Sequence, residues 1–285
     1  MNPKTQSLIF GLITILCWGS LATFGKLLIH LPPFYVLGAC FLIGSLPAFA
    51  RPKEMFPDLK VLLWGTAGYF GYHFLLFYAF RFAPAIEANL INYLWPVIMV
   101  VITPIFFPEQ KLRWYHIAGA ALAVIGSVFL VFGKGGELKS EYLTGYLLAL
   151  GAAFAWPIYS VGKKKLKATT VWAIGGLCFV SGILCFLTHL WLEPRVVLQS
   201  EDLWKLIVMG LGPFGLAFYT WDLALKMGDS RIIGALAYLT PVLSTIGLVI
   251  FANELLVFST VVAIVLIIGG ASAGLLDFLP SKRLK

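Results

Sequence analysis

Ten hydrophobic stretches, separated by short polar connections, fill most of the chain. A helix needs about 20 apolar residues to cross the hydrocarbon core of a bilayer, so the pattern predicts an all-α integral membrane protein with ten transmembrane helices. The predicted spans are residues 7–29, 33–50, 60–81, 84–106, 114–133, 142–163, 170–192, 202–226, 229–251 and 258–279. Because the connections are too short to hold another domain, we predict a single membrane domain over residues 1–285.

The last five spans repeat the pattern of the first five. The run 93–97 in the fourth span matches the run 238–242 in the ninth, with tyrosine and proline at the same places and a separation of 145 positions. The same separation relates Glu109 to Glu254, and each is predicted to cap the helix that follows it. Repeat one covers about residues 7–133 and repeat two about residues 142–279.

An odd number of spans in each repeat inserts the two repeats in opposite orientations, which gives two inverted five-helix repeats. Inverted repeats that meet around a central site are the architecture of many secondary transporters. The pattern therefore favours a transporter that works by alternating access.

Charged residues make up 12% of the chain, against about 25% in soluble domains. The net charge of +8 would suggest nucleic acid as a partner of a soluble protein, but here the basic residues follow the predicted topology. With the N-terminus inside, fifteen of the 21 lysines and arginines lie on the cytoplasmic side and six on the outer side. This positive-inside bias predicts cytoplasmic termini, contact with membrane lipids and no nucleic-acid partner.

Other classes of membrane protein find little support in the motifs. The four histidines (His30, His73, His116 and His189) are scattered, and no zinc-protease motif, nucleophile elbow or phosphate-binding loop is present. The four cysteines lie inside predicted spans without the spacing of a metal site. We therefore predict no enzyme activity, no metal and no cofactor, with an integral-membrane enzyme as the less favoured alternative. A channel would need rings of carbonyls or carboxylates, and the sequence has no such repeat.

Two prolines fall near the middle of predicted spans and are candidates for hinges. Pro96 and Pro241 each remove one backbone hydrogen bond, which frees the carbonyls of Asn92 and Ala237. Such backbone is tolerated where protein groups or a wet cavity satisfy it. A structural kink is the alternative interpretation. We also predict that Lys26, at the outer end of the first span, acts in gating.

Several aromatic and polar side chains fall near mid-depth, although tryptophan and tyrosine normally prefer the membrane interfaces. A cavity that stacks flat ligands would explain them, and plain core packing is the alternative. The residues predicted to line a central cavity are Trp18, His73, Tyr78, Glu87, Asn89, Asn92, Tyr93, Trp95, Trp156, Tyr159, Tyr238 and Thr240.

Four polar or small-residue features leave two interpretations each. Glu87 lies in the first turn of its span, where a carboxylate favours the helix dipole, or it contacts Lys26 or a substrate ammonium. His73 is either a core histidine or a donor in the cavity. Asp222 and Lys226 form a helix pair or a gate. Glycines such as Gly270 mark close helix packing, within the bundle or in an oligomer.

The motifs as a set resemble the EamA-type, ten-span members of the drug/metabolite transporter superfamily. The resemblance rests on the early run 18–20, the prolines of the fourth and ninth spans, and a glutamate before each glycine-rich final helix. The runs 85–87, 92–96 and 240–244 are similar to the bacterial aromatic amino-acid exporters of that family.

The resemblance implies a transporter in the bacterial cytoplasmic (inner) membrane that exports aromatic and other neutral amino acids through a central cavity by alternating access. It also implies that spans five and ten are peripheral. Another small metabolite or drug is the alternative substrate. A phosphorylated anion is less favoured, because nearly all basic residues lie at the ends of the predicted spans.

Overall fold

The computed structural model describes residues 2–132, 139–166, 169–252, 258–274 and 276. These residues are mostly helical, with no strand among them, and every predicted span corresponds to one helical segment. The first half consists of segment 1 (α1, Pro3–Gly19, and α2, Leu21–Leu27), segment 2 (α3, Pro33–Ser45, with a 3₁₀ turn, Leu46–Ala50), the short α4 (Pro52–Met55), segment 3 (α5, Leu59–Ala79), segment 4 (α6, Ala85–Asn92, and α7, Trp95–Phe106) and segment 5 (α8, Trp114–Phe132).

The second half has the same order of segments. It consists of segment 6 (α9, Leu143–Gly162), segment 7 (α10, Ala173–Leu192), segment 8 (α11, Ser200–Leu211, a π turn, Gly212–Leu216, and α12, Ala217–Met227), segment 9 (α13, Ser230–Ala237, and α14, Leu239–Ala252) and segment 10 (α15, Phe258–Gly274).

Within the described residues, five helical stretches are long and apolar enough to cross a membrane by length and composition: Pro3–Leu27, Pro33–Ala50, Ser140–Lys165, Ala173–Leu192 and Ser200–Met227. The outside of the bundle carries exposed apolar side chains, among them Ile105 at 74% and Leu190 at 77% exposure. In water such a surface would be costly, but it suits lipid. The predicted fold class, an all-α integral membrane protein, is confirmed.

Polar side chains begin several of these helices. Asp58 accepts a hydrogen bond from the amide of Val61 at 3.1 Å, and Asp229 accepts one from Arg231 at 2.8 Å. Gln199 and Asp202 form a reciprocal capping box at the start of α11. Because the first amides of a helix have no partner inside it, these caps fix where segments 3, 8 and 9 begin.

The helix contacts follow the duplication. Segment 3 packs on segment 6 as segment 8 packs on segment 1, and segment 4 packs on segment 6 as segment 9 packs on segment 1. Segments 2 and 7 pack against each other, and so do segments 5 and 10. In the last pair, Gly270 lies directly against the backbone of Gly119 and Ala123. These small residues therefore serve close packing within the chain.

Segments 4 and 9 are both broken, and the breaks differ from the predicted proline kinks. Tyr93 and Leu94 separate α6 from α7, and Tyr238 separates α13 from α14. Pro96 is the second residue of α7 and Pro241 the third residue of α14, so each proline begins a half-helix instead of bending a continuous one. The first turn of a helix tolerates proline because its amide has no intrahelical partner there.

One of the predicted glutamate caps is wrong. Glu109 lies in a turn five residues before α8 begins and lines a polar cleft with Lys111 and Arg113. Glu254, the other predicted cap, lies outside the described residues.

Each end of the bundle has its own contacts between the two repeats. At the end where α1 begins, here called the terminal face, Ser7 donates to the carbonyl of Ala224 at 2.7 Å. At the other end, the distal face, Arg81 donates to the carbonyl of Leu192 at 2.9 Å, and Glu193 accepts from the amide of Phe34 at 3.0 Å. These contacts join the two repeats at both ends.

Candidate functional site

A cavity of about 450 Å³ lies between the repeats and extends toward the distal face. Its mouth is formed by residues next to the loops of that face, including Ile29, Leu31 and Phe80, and its inner end lies at Trp18 and Trp156. Segments 1, 2, 3, 4, 6, 8 and 9 contribute to the lining. Among the described residues, no side chain of α8 or α15 lines it.

Eight of the twelve predicted cavity residues line this space. They are Trp18, His73, Asn89, Asn92, Tyr93, Trp95, Trp156 and Thr240. They come from both repeats and meet where the half-helices of segments 4 and 9 begin and end.

The other four predicted residues do not line the central cavity. Tyr78 stacks on Phe74, with ring centroids 5.3 Å apart, and faces away from the cavity. The buried Glu87 accepts a hydrogen bond from the hydroxyl of Tyr146 at 3.0 Å, on the neighbouring α9. The side chains of Tyr78 and Glu87 therefore contact neighbouring residues outside the lining of the central cavity.

Tyr159 and Tyr238 do not line the central cavity, for different reasons. Tyr159 lies beyond the inner end of the cavity, where it lines a separate space at the terminal face. Tyr238 is packed with Val242 and Ile267 in an apolar cluster beside α15. Lys26, the predicted gating residue, lies in the last turn of α2 with its side chain exposed, next to the cavity-lining Gly25.

The inner end of the cavity is a floor of packed indole rings. The ring of Trp18 is the centre of this floor, with its centroid 6.2 Å from Trp95, 5.7 Å from Trp156 and 5.1 Å from Trp221. Edge-to-face and tilted arrangements at these distances are the favourable ones for aromatic pairs. Trp18 and Trp95 belong to repeat one, and Trp156 and Trp221 to repeat two, so the floor is also a contact between the repeats.

Trp221 was not among the predicted residues, although it is almost completely buried in the floor. It follows Phe218 by three positions, so the two rings lie on one side of α12, and Phe218 lines the cavity. The aromatic residues at 218, 219 and 221 were therefore a usable signal in the sequence.

Hydrogen bonds hold the floor in place. The indole nitrogen of Trp18 donates to the carbonyl of Pro213 at 3.2 Å, inside the π turn of segment 8. The indole nitrogen of Trp221 donates to the hydroxyl of Ser160 at 3.1 Å. The π turn was not predicted. Single-turn π segments are frequent at functional sites, and this one places Pro213 and Phe214 in the cavity wall.

The polar groups of the cavity lie above the floor. Nδ1 of His73 is 2.7 Å from the carbonyl oxygen of Tyr69, and because a carbonyl only accepts, Nδ1 carries the hydrogen. The amide nitrogen of Asn92 donates to the hydroxyl of Tyr72 at 3.1 Å. The side-chain oxygens of Asn92 and Thr240 are buried without a hydrogen-bond partner among the described residues. These two unsatisfied groups flank the breaks in segments 4 and 9.

The described lining of the central cavity contains no aspartate, glutamate, lysine or arginine. Its wall is predominantly apolar and aromatic, with a few amide, hydroxyl and imidazole groups. Pockets of this kind suit neutral or zwitterionic ligands with an apolar body, because a ligand with net charge would enter without a counter-ion.

Beyond the floor, at the terminal face, a buried ion cluster joins segments 6 and 8. The carboxylate of Asp222 is 2.5 Å from Nζ of Lys163 and 2.6 Å from Nζ of Lys226. The predicted helix pair between Asp222 and Lys226 is confirmed. Lys163 is an additional partner, 59 positions away in the chain.

Comparisons with known proteins identify close relatives over nearly the whole chain. The model of the EamA-like transporter family matches twice, at residues 5–132 and 143–273. The aromatic amino acid exporter YddG of Ancylobacter novellus is 35% identical over 282 residues, covering 96% of this chain and 98% of the relative. The protein of the same name from Escherichia coli K12 is 26% identical, covering 98% of this chain and 99% of the relative.

Two further matches agree with these. A probable amino-acid metabolite efflux pump of Salmonella typhimurium LT2 is 25% identical, covering 94% of each chain. A solved crystal structure superposes with a TM-score of 0.89 at 34% identity, covering 94% of this chain and 96% of that chain. The family model matches twice, and each match covers one half of the helical bundle. The chain is therefore a multi-pass membrane transporter that belongs to the EamA-like transporter family.

Proposed function

We propose that this protein exports aromatic and other neutral amino acids through the central cavity by alternating access. The observation that carries the proposal is a cavity lined by indole rings and a few neutral polar groups, with no fixed charge among its described residues. A zwitterion with an apolar side chain fits such a wall without leaving a net charge unpaired. Relatives named as amino-acid exporters support the same substrate class.

The two ends of a substrate amino acid would be bound by different groups. The indole rings of Trp18, Trp95 and Trp156 offer faces and edges on which a flat side chain stacks. Asn92 and Thr240 offer oxygen atoms that have no hydrogen-bond partner among the described residues, and such oxygens suit an ammonium group. Asn89 and His73 offer further polar contacts in the same wall.

In the proposed cycle, the structure would be one of the two states that alternating access requires. The cavity extends to the distal face, while the indole floor and the cluster around Asp222 close the terminal face. With the termini in the cytoplasm, this is the outward-open state. To open inward, Trp18 of repeat one would separate from Trp156 and Trp221 of repeat two, with the breaks at Tyr93 and Tyr238 acting as joints. Lys26 would act at the distal rim as that end closes.

The test is uptake of labelled tryptophan, phenylalanine and threonine into liposomes that contain the purified protein, with and without a pH gradient. We expect saturable uptake that unlabelled aromatic amino acids inhibit. Uptake that ignores the gradient indicates facilitated diffusion, whereas dependence on the gradient indicates proton coupling. Absence of uptake by protein that circular dichroism shows to be helical would reject amino acids as the substrates and favour another small metabolite.

A further inference from the structure

A second cavity, of about 260 Å³, opens at the terminal face on the other side of the indole floor, and we call it the inner vestibule. It is lined by Tyr159, Ser160, Lys163, Lys164, Leu166, Thr169, Trp221, Asp222, Leu225 and Lys226. Its chemistry is the opposite of that of the central cavity, because three lysines and one aspartate face it. The role of the central cavity leaves this charged space unexplained.

One layer of aromatic rings separates the inner vestibule from the central cavity. Trp156 lines the central cavity, whereas Trp221 and Tyr159 line the vestibule. The ring centroid of Trp156 is 6.2 Å from that of Trp221 and 5.4 Å from that of Tyr159. A shift of these rings would therefore connect the two cavities into one path, and the vestibule lies in line with the proposed transport route.

The charges of the vestibule are arranged in a way that matches a zwitterion. The carboxylate of Asp222, exposed by only 5%, lies between the ammonium groups of Lys163 and Lys226. Lys164 instead donates hydrogen bonds to the carbonyl of Gly228 and the hydroxyl of Ser230, at the start of α13. The carboxylate and its two lysines thus form a compact cluster that contains both negative and positive charges.

Opening of this end would be costly if it left these buried charges unpaired. An amino acid carries one ammonium and one carboxylate, so it can replace the protein's own pairing without leaving a charge alone. Its ammonium would bind Asp222, and its carboxylate would bind Lys163 and Lys226. A ligand that lacks one of the two charges cannot make this exchange.

We propose that the inner vestibule is a second substrate site, at which the α-ammonium and α-carboxylate of a cytoplasmic amino acid are captured before the aromatic layer opens. The proposal rests on the proposed function and adds an entry site that recognises the zwitterionic backbone. The central cavity then selects the side chain. The two sites act in sequence on different parts of the same substrate.

The test compares three competitors of labelled phenylalanine transport, added on the terminal face of oriented vesicles: phenylalanine itself, N-acetyl-phenylalanine without the ammonium, and phenylalaninamide without the carboxylate. Each of the two analogues lacks one charged group and so loses one charge-assisted contact. Wild-type protein should therefore bind phenylalanine at least about tenfold more tightly than either analogue. In Asp222→Asn the preference over N-acetyl-phenylalanine should fall about tenfold. In Lys226→Gln the preference over phenylalaninamide should fall.

Glu54→Gln provides the matched control. Glu54 is an acidic residue outside the vestibule, 4.0 Å from Arg51, and its replacement should leave both ratios unchanged. If Asp222→Asn slows the transport of labelled phenylalanine but keeps the competition ratios, the cluster serves only to close the end, and the inference is overturned. If Asp222→Asn fails to fold, Lys226→Gln decides, because that lysine is one-third exposed.

Failure of the inference can be separated from failure of the proposed function. A wild-type protein that transports phenylalanine, with ratios unchanged in both variants, overturns the entry site alone. A folded wild-type protein that transports no amino acid overturns the proposed function and the entry site together.

Discussion

At the scale of single residues, Trp18 links the two repeats at the floor of the central cavity. Its ring meets indoles from both repeats, and its nitrogen donates to the carbonyl of Pro213 in the π turn. The same side chain therefore forms the floor of the central cavity and joins segment 1 to segment 8. Both kinds of contact have to change if the terminal face opens.

Replacing Trp18 by phenylalanine keeps a smaller aromatic ring in the floor and removes the hydrogen bond to Pro213. One hydrogen bond of this kind contributes about 1 kcal/mol, which corresponds to about a fivefold change in an equilibrium or a rate. We expect the maximal transport rate of labelled phenylalanine in proteoliposomes to change by about that factor in Trp18→Phe, with a smaller change in half-saturation.

The matched control for this variant is Trp114→Phe, which alters a tryptophan on the outer surface with 76% exposure. It should transport at the wild-type rate. A Trp18→Phe protein with wild-type kinetics would show that the bond to Pro213 has no part in transport.

At the scale of elements, the broken helices of segments 4 and 9 are the main departure from a simple bundle. Each break precedes a proline in the first turn of the following half-helix, and the two breaks are related by the internal repeat. Half-helices whose ends meet near the middle of a membrane protein place polar backbone next to the ligand. Asn92 and Thr240, with their unsatisfied oxygens, lie beside these ends.

Alanine at Pro96 or Pro241 should make the breaks less stable, since it restores a backbone donor and removes the clash with the preceding turn. The two half-helices could then join into a continuous helix. We expect Pro96→Ala and Pro241→Ala each to lower the transport rate at least about tenfold, because a loss of about 1.4 kcal/mol corresponds to that factor, while the helical content measured by circular dichroism stays constant.

Pro104→Ala is the appropriate control, because Pro104 lies inside α7 and away from the break. Its transport rate should stay close to that of the wild type. Wild-type rates in both Pro96→Ala and Pro241→Ala would contradict a role of these breaks as hinges.

At the scale of the whole molecule, the basic residues distinguish the two faces. Lys4, Lys111, Arg113, Lys163 and Arg231 all lie at the terminal face. Loops rich in lysine and arginine stay in the cytoplasm during insertion. The distribution therefore predicts that the terminal face lies inside, which would make the central cavity outward-open and, under the proposal above, the inner vestibule the cytoplasmic entrance.

Reporter fusions test this orientation. A green fluorescent protein at the C-terminus should fluoresce, and alkaline phosphatase at the same place should be inactive, since the first requires the cytoplasm and the second the periplasm. A fusion of either reporter after Gln199, in the connection before α11 at the distal face, should give the reverse result. An active phosphatase at the C-terminus would contradict the assignment of the faces.

The sequence alone determined the fold class, the places of the helical segments, the internal repeat and the family resemblance. It also proposed a set of cavity residues, of which Trp18, Asn92 and Thr240 are among those that lie at the central cavity. These properties depend on hydrophobicity and spacing along the chain, which set how deep a residue lies in the bilayer. They can be read without knowledge of the neighbouring helices.

Only the tertiary structure decided which way each side chain faces and which distant residues meet. Tyr78 stacks on Phe74 and Glu87 binds Tyr146, both outside the central cavity, because packing against neighbouring helices sets the rotation of a helix about its axis. Trp221 in the floor and Lys163 beside Asp222 depend on contacts between segments far apart in the chain. Depth is a property of the local sequence, whereas direction and partnership arise only when the two repeats pack together.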